Sequence, residues 1–143
     1  MAAEHGGCVL RFTKVSMALT DLGFLAYWAV TVTALLPARY AYRDYDDPIL
    51  ADWNYSFLPL DLLASLTGLA ALLTACRGGR AAVRPLMLIS LVLTSTAGLQ
   101  ALAFWALRGD FTLSWWAPNL FLLLFPLPGI VHLSRRDLGW SAP

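Results

Sequence analysis

Long apolar blocks, an absence of basic residues inside them and an uneven spread of basic residues between the connecting loops predict an all-α fold: a polytopic membrane protein built as a four-transmembrane-helix bundle. Of 143 residues, 59% are hydrophobic and 13% charged, whereas an ordinary soluble domain carries about 25% charged residues. The apolar residues also run in continuous blocks rather than stripes. Crossing a hydrocarbon core of about 30 Å takes about 20 helical residues. The blocks 15–36, 57–76, 85–107 and 113–133 each reach that length without a Lys or Arg. They make residues 1–143 a single membrane domain with no room for a soluble one.

The first block follows Arg11 and Lys14, as a signal peptide would, but its apolar run is longer than an h-region and no small-x-small cleavage site follows. It is expected to be a retained helix that stops at Pro37, which cannot continue one. Asp21 lies inside it, about 6 Å to the inner side of the middle at 1.5 Å per residue. Such a residue is expected to face protein, bonded to a Ser or Thr of a neighbouring helix, because lipid exposure of a charge costs several kcal/mol.

The connection from Ala38 to Tyr55 interleaves Tyr40, Tyr42, Tyr45, Trp53 and Tyr55 with Asp44, Asp46, Asp47 and Asp52. Aromatic residues of this kind favour the membrane–water interface, so the loop is expected to lie on the bilayer or to cap the helices. Its acids lack the Gly and terminal Glu of a calcium loop and read as a solvated rim. The second block starts at Phe57, tolerates Pro59 in its first turn, and carries Asp61 and the small-residue pair Ala64-x-x-x-Gly68, which allows close helix approach. After the Arg77-Gly78-Gly79-Arg80 turn, the third block rises from Pro85 through Ser90, Thr94 and Gly98 to Gln100 and Trp105. Arg108-Gly109-Asp110 turns the chain into the fourth block, which opens on Trp115-Trp116-Ala117-Pro118-Asn119 and is expected to kink at Pro126 and Pro128.

Orientation follows from the loops. Arg11, Lys14, Arg77, Arg80, Arg84, Arg135 and Arg136 fall on one side, and Arg39, Arg43 and Arg108 on the other. The positive-inside rule then places both termini in the cytoplasm of a bacterial cell membrane. Cys8 and Cys76 share the cytoplasmic side, where thiols stay reduced, so no structural disulfide is expected. His5 and His132 stand apart from them and from each other, as solvated or interfacial side chains. No metal site, cofactor motif, phosphate-binding loop or nucleic-acid-binding patch is evident.

Several segments in order resemble a known family. Thr20-Asp21-x-Gly23-Phe24-x-x-Tyr27-Trp28, Asp44-Tyr45 and Trp53-Asn54-x-Ser56-Phe57-x-Pro59-Leu60-Asp61-Leu62 are similar to the YvaD-like bacterial membrane proteins. So are Ser65-x-Thr67-Gly68-Leu69, Gly98-Leu99-Gln100, Gly109-Asp110-Phe111 and Trp115-Trp116-x-Pro118-Asn119-Leu120. The resemblance covers about residues 20–125. It implies a short four-helix membrane protein of a family without an assigned function, and carries no catalytic residue over.

An ionised Asp at a helix centre costs roughly 2.5–3.5 kcal/mol on insertion scales, so Asp21 and Asp61 need a reason. Their depths differ by about 12–18 Å, too far for a shared-proton carboxylate pair. Asp61, Gln100 and Asn119 instead fall at one level of the outer half and are expected to converge in a pocket roofed by Trp53, Trp115 and Trp116. Trp28 lies too deep for an interfacial belt and reads as packing or as pocket wall. An acid with two amides suits a proton donor, a cation binder or an acceptor for a hydroxyl. It equally suits interhelical bonding alone, worth about 0.6 kcal/mol per bond. Three functions follow. One is binding of a lipophilic small molecule or a membrane partner, including a second copy of the chain. Another is acid catalysis on a lipid or terpenoid, with Asp61 or Asp21 as the acid. The third is a small proton-coupled exporter using Asp21. Membrane lipid is the one partner common to all, the basic loops meeting anionic headgroups.

Overall fold

The computed structural model describes residues 2–42 and 44–135. Arg43 and Arg136, two of the residues weighed for orientation, lie outside the described residues, as do the side chains of His5 and Arg80. Every regular element among the described residues is helical: α1 (Ala2–Val32), α2 (Ala38–Ala41), α3 (Pro48–Tyr55), α4 (Leu58–Cys76), α5 (Arg80–Leu107), α6 (Leu113–Leu124) and α7 (Pro126–Arg135). Four stretches are long and apolar enough to cross a membrane: Gly7–Val32, Pro48–Cys76, Ala81–Leu107 and Leu113–Arg135. Helices suit that setting because each spanning segment satisfies its own backbone hydrogen bonds.

The helix ends differ from the sequence expectation in instructive ways. The first helix stops at Val32, not at Pro37. Ala34 there takes a left-handed φ of 50°, and Leu35 N–H donates back to Val30 O at 3.1 Å, closing the helix before proline is reached. Gly78 and Gly109 close α4 and α5 with φ of 81° and 68°, the left-handed conformation that glycine adopts without a Cβ penalty. At the end of α5, Gly109 N–H reaches Ala106 O and Asp110 N–H reaches Trp105 O, both at 3.0 Å. The loop expected between 38 and 55 contains two helices instead, the short α2 and α3. Asp47 caps α3, its Oδ1 accepting from Ile49 N–H at 2.9 Å and Leu50 N–H at 3.4 Å, and Pro48 follows where a missing N–H costs nothing.

α5 is the centre of the bundle, packing on α4 along one side and on α6 and α7 along another. α1 lies against α4 and closes on α7. Two glycines set the closest approaches. A Cβ on Gly98 would lie 2.6 Å from Leu123 N and 2.7 Å from Asn119 O, so the backbone of α6 rests on α5 at this point. A Cβ on Gly68 would collide with the Asp21 carboxylate from α1 and lie 2.6 Å from Ser90 Oγ from α5. Met17, Ala71, Met87, Leu91, Phe125 and Leu133 form the buried apolar core of the half of the bundle that holds the α4–α5 turn and the end of α7, here termed the inner half. Ser95 Oγ donates to Leu123 O at 3.0 Å, and Arg84 donates to Leu133 O, which ties α5 to the last span at two levels.

The last span is broken at Phe125, where Pro126 and Pro128 cannot supply backbone donors. α7 therefore packs on both α1 and α5, whereas α6 packs on α5 and scarcely touches α1. The inner half of the bundle is closed by four spans; the outer half has a gap between α1 and α6.

Candidate functional site

A cavity of about 260 Å³ fills that gap. α1 contributes Phe24, Tyr27 and Trp28; α3 gives Trp53 and Asn54; Asp61 reaches in from α4. The small side chains of Ala97 and Ala101 on α5 leave the floor open, and Trp115, Pro118 and Asn119 of α6 form the far wall.

Trp28 and Asp61 are both buried, and Trp28 Nε1 donates to Asp61 Oδ2 at 2.9 Å. A buried indole finds a partner in this way and at once ties α1 to α4. The second carboxylate oxygen, Oδ1, is buried and has no hydrogen-bond partner. Tyr27 Oη donates to Asn54 Oδ1 at 3.0 Å, while Asn54 Nδ2 is likewise buried without a partner. One acceptor and one donor are thus left over beside an otherwise aromatic and apolar space. Such groups cost about 1–3 kcal/mol each when nothing pairs with them.

The roof is a chain of rings. Trp53 stacks on Phe104 with centroids 4.1 Å apart and meets Trp105 edge-on at 5.6 Å; Trp105 in turn stacks on Trp115 at 5.9 Å.

Of the residues expected from the sequence, Asp61, Asn119, Trp28, Trp53 and Trp115 line this one cavity. Asn119 does so half-buried, with its amide donating to Trp115 O at 2.7 Å, a bond within its own helix. Gln100 does not join them. It is exposed, because Ala97 and Ala101 occupy the cavity side of α5 and the next residue along a helix is turned by about 100°. Equal depth did not mean an equal face. Trp116 also points elsewhere: its indole donates to Asp110 O at 2.8 Å and its ring lies against Phe111.

Asp21 is fully buried on the far side of the seam, against Gly68 and Ser90. It faces protein rather than lipid, but the hydrogen bond expected from a neighbouring Ser or Thr is absent: both carboxylate oxygens lack a partner.

Asn54, Tyr27 and Phe24 were not expected at the site. The signal for Asn54 lay in the Asp47-Pro48 pair, which starts a helix. Continued into α4, that helix puts Asn54 and Asp61 seven residues apart, two turns on one face.

Fold and site together define an all-helical chain with four stretches long and apolar enough to cross a membrane and a polar-edged aromatic cavity in one half. The chain belongs to the family of unknown function DUF5360, whose model matches residues 13–138. It is 45% identical over 128 residues to the uncharacterised protein YvaD of Bacillus subtilis (strain 168), a match that covers 90% of this chain and 95% of that one. No solved structure matches it.

Proposed function

We propose that the cavity binds a lipophilic molecule carrying a hydroxyl or similar group that can both donate and accept a hydrogen bond. The observation that supports this most is the orphaned Asp61 Oδ1 beside the cavity, with the free Asn54 Nδ2 as its complement. A hydroxyl would donate to the carboxylate oxygen and accept from the amide, satisfying both groups at once. The apolar remainder of the ligand would lie among Phe24, Trp53, Phe57 and Trp115, in keeping with pockets that are mostly apolar with a few placed polar groups. Interhelical bonding accounts for Asp61 Oδ2 through Trp28 but not for Oδ1.

Tryptophan fluorescence of the purified protein, titrated with a long-chain primary alcohol and with its methyl ether, tests this reading. The ether keeps the acceptor and the chain but loses the donor, so it should bind about tenfold more weakly or worse. Equal binding of the two would rule the reading out.

The same proposal places the protein in the cell membrane with both termini cytoplasmic, on the strength of the basic residues in the inner loops. Cys8 is exposed and offers the label. In intact cells an impermeant thiol reagent should modify an Ala51→Cys variant and leave Cys8 untouched; modification of Cys8 alone would invert the topology.

A further inference from the structure

Near the middle of the bundle stands a second group of unpartnered polar atoms, separate from the cavity. Asp21 Oδ1 and Oδ2, Ser65 Oγ and Ser90 Oγ are all buried without a hydrogen-bond partner. The three residues are fully buried. They come from α1, α4 and α5, and Gly68 marks their meeting place: a methyl built there would collide with Asp21 Oδ2 and lie 2.6 Å from Ser90 Oγ. Ser65 sits on the same face of α4, one turn before Gly68.

Hydroxyls elsewhere in these helices behave differently. Thr13, Thr31, Thr33, Thr67 and Thr96 each donate to the carbonyl four residues earlier, at 2.6–2.8 Å. That local bond is the ordinary way for Ser or Thr to be satisfied in a helix. Ser65 and Ser90 do not make it; Ser90 stands beside the Asp21 carboxylate, which is also unsatisfied, and Ser65 lies one turn before Gly68 on α4. A buried carboxylate without a counter-charge is among the most costly arrangements in a protein interior. Residues 15–36, 57–76 and 85–107 contain no Lys or Arg to supply one.

We propose that Asp21, Ser65 and Ser90 form a binding site for one small monovalent cation, a sodium ion. The donor set is all oxygen, which suits a hard cation rather than a transition metal. One carboxylate supplies one negative charge, which a monovalent ion neutralises and a divalent ion would overshoot. Contributions from three helices make the ion a fastening between α1, α4 and α5, and the absence of a side chain on Gly68 is what lets the Asp21 carboxylate lie against α4.

The test is binding of radioactive sodium by equilibrium dialysis, together with thermal unfolding, on the purified full-length protein. Both are run in mildly alkaline buffer with N-methylglucamine replacing sodium at constant ionic strength. The wild type should bind one sodium ion per chain saturably and unfold at higher temperature when it is bound. Asp21→Asn should weaken that binding about tenfold or more, and Ser90→Ala should weaken it measurably, whereas Asp61→Asn should leave it unchanged. If Asp21→Asn does not fold, as judged by its elution profile and unfolding curve, Ser90→Ala decides. No saturable sodium binding by the wild type would overturn the proposal, since Asp21 would then be carrying a proton alone. Unaltered affinity in Ser90→Ala, or equal loss in Asp61→Asn, would overturn it as well.

Discussion

Asp61 and Asp21 are both buried acids in helices long and apolar enough to cross a membrane, yet their surroundings have little in common. Asp61 stands in the outer half, where α6 leaves α1; it receives the Trp28 indole on one oxygen and turns the other toward an aromatic cavity. Asp21 stands nearer the middle of the bundle, packed against Gly68 beside Ser90, with no donor on either oxygen. On the readings proposed above, the first carboxylate, with a fixed donor and a free face, meets something that comes and goes, and the second holds something small in place. The difference comes from helix packing rather than from the acids themselves, since the same residue type occupies both positions.

Four substitutions would break or sharpen that contrast. Trp28→Phe has the largest expected effect, because it removes the indole donor to Asp61 and leaves that carboxylate as bare as Asp21. A lost hydrogen bond to a buried carboxylate should cost about 2–3 kcal/mol, read as a lower unfolding midpoint in detergent. Gly68→Ala follows, at about 1–2 kcal/mol, since the new methyl must displace Asp21 and Ser90 rather than find empty space. Its effect should be confined to the surroundings of Asp21, with the alcohol affinity of the cavity unchanged; a parallel loss there would show that the two regions are one.

Asp61→Asn should cost less than about 1 kcal/mol, because an amide oxygen can still accept from Trp28. Alcohol binding should nonetheless fall about tenfold, since the group facing the cavity becomes a donor. Gln100→Ala should be the mildest, within about 0.5 kcal/mol and without effect on binding, as suits an exposed side chain. A clear loss of alcohol binding in that variant would show that the site extends beyond the cavity described.

Much of the architecture could be read from the chain because lipid-spanning segments obey a length rule that needs no tertiary information. Four helices long and apolar enough to cross a membrane are present, as the composition implied, and the last of them is broken before Pro126. The helix end at Val32 was not legible, since a left-handed Ala34 leaves no compositional mark. Nor was α3, although its Asp-Pro start was written in the sequence and was overshadowed by the acidic run around it. For the site, depth along a helix was legible and rotation about it was not. Asp61 and Asn119 share the cavity and Gln100 does not, because a one-residue step moves a side chain to another face without altering its level by more than about 1.5 Å. The expectation for Asp21 was right about which way it faces and mistaken about its partner.

The break at Phe125 bears on how any cavity occupant would be measured. With α6 held on α5 and away from α1, the opening between them lies along the side of the bundle rather than at its end. On the proposed reading, an occupant dissolves in the bilayer first and enters sideways. Its concentration at the opening is then set by its partition coefficient, not by the amount added to the buffer. Each extra methylene on a ligand raises partitioning by about 0.8 kcal/mol whether or not the protein touches it. A homologous series of alcohols would therefore show a steep gain in apparent affinity with chain length that belongs to the membrane. Only affinities expressed per mole fraction in lipid would report what Asp61 and the aromatic walls contribute.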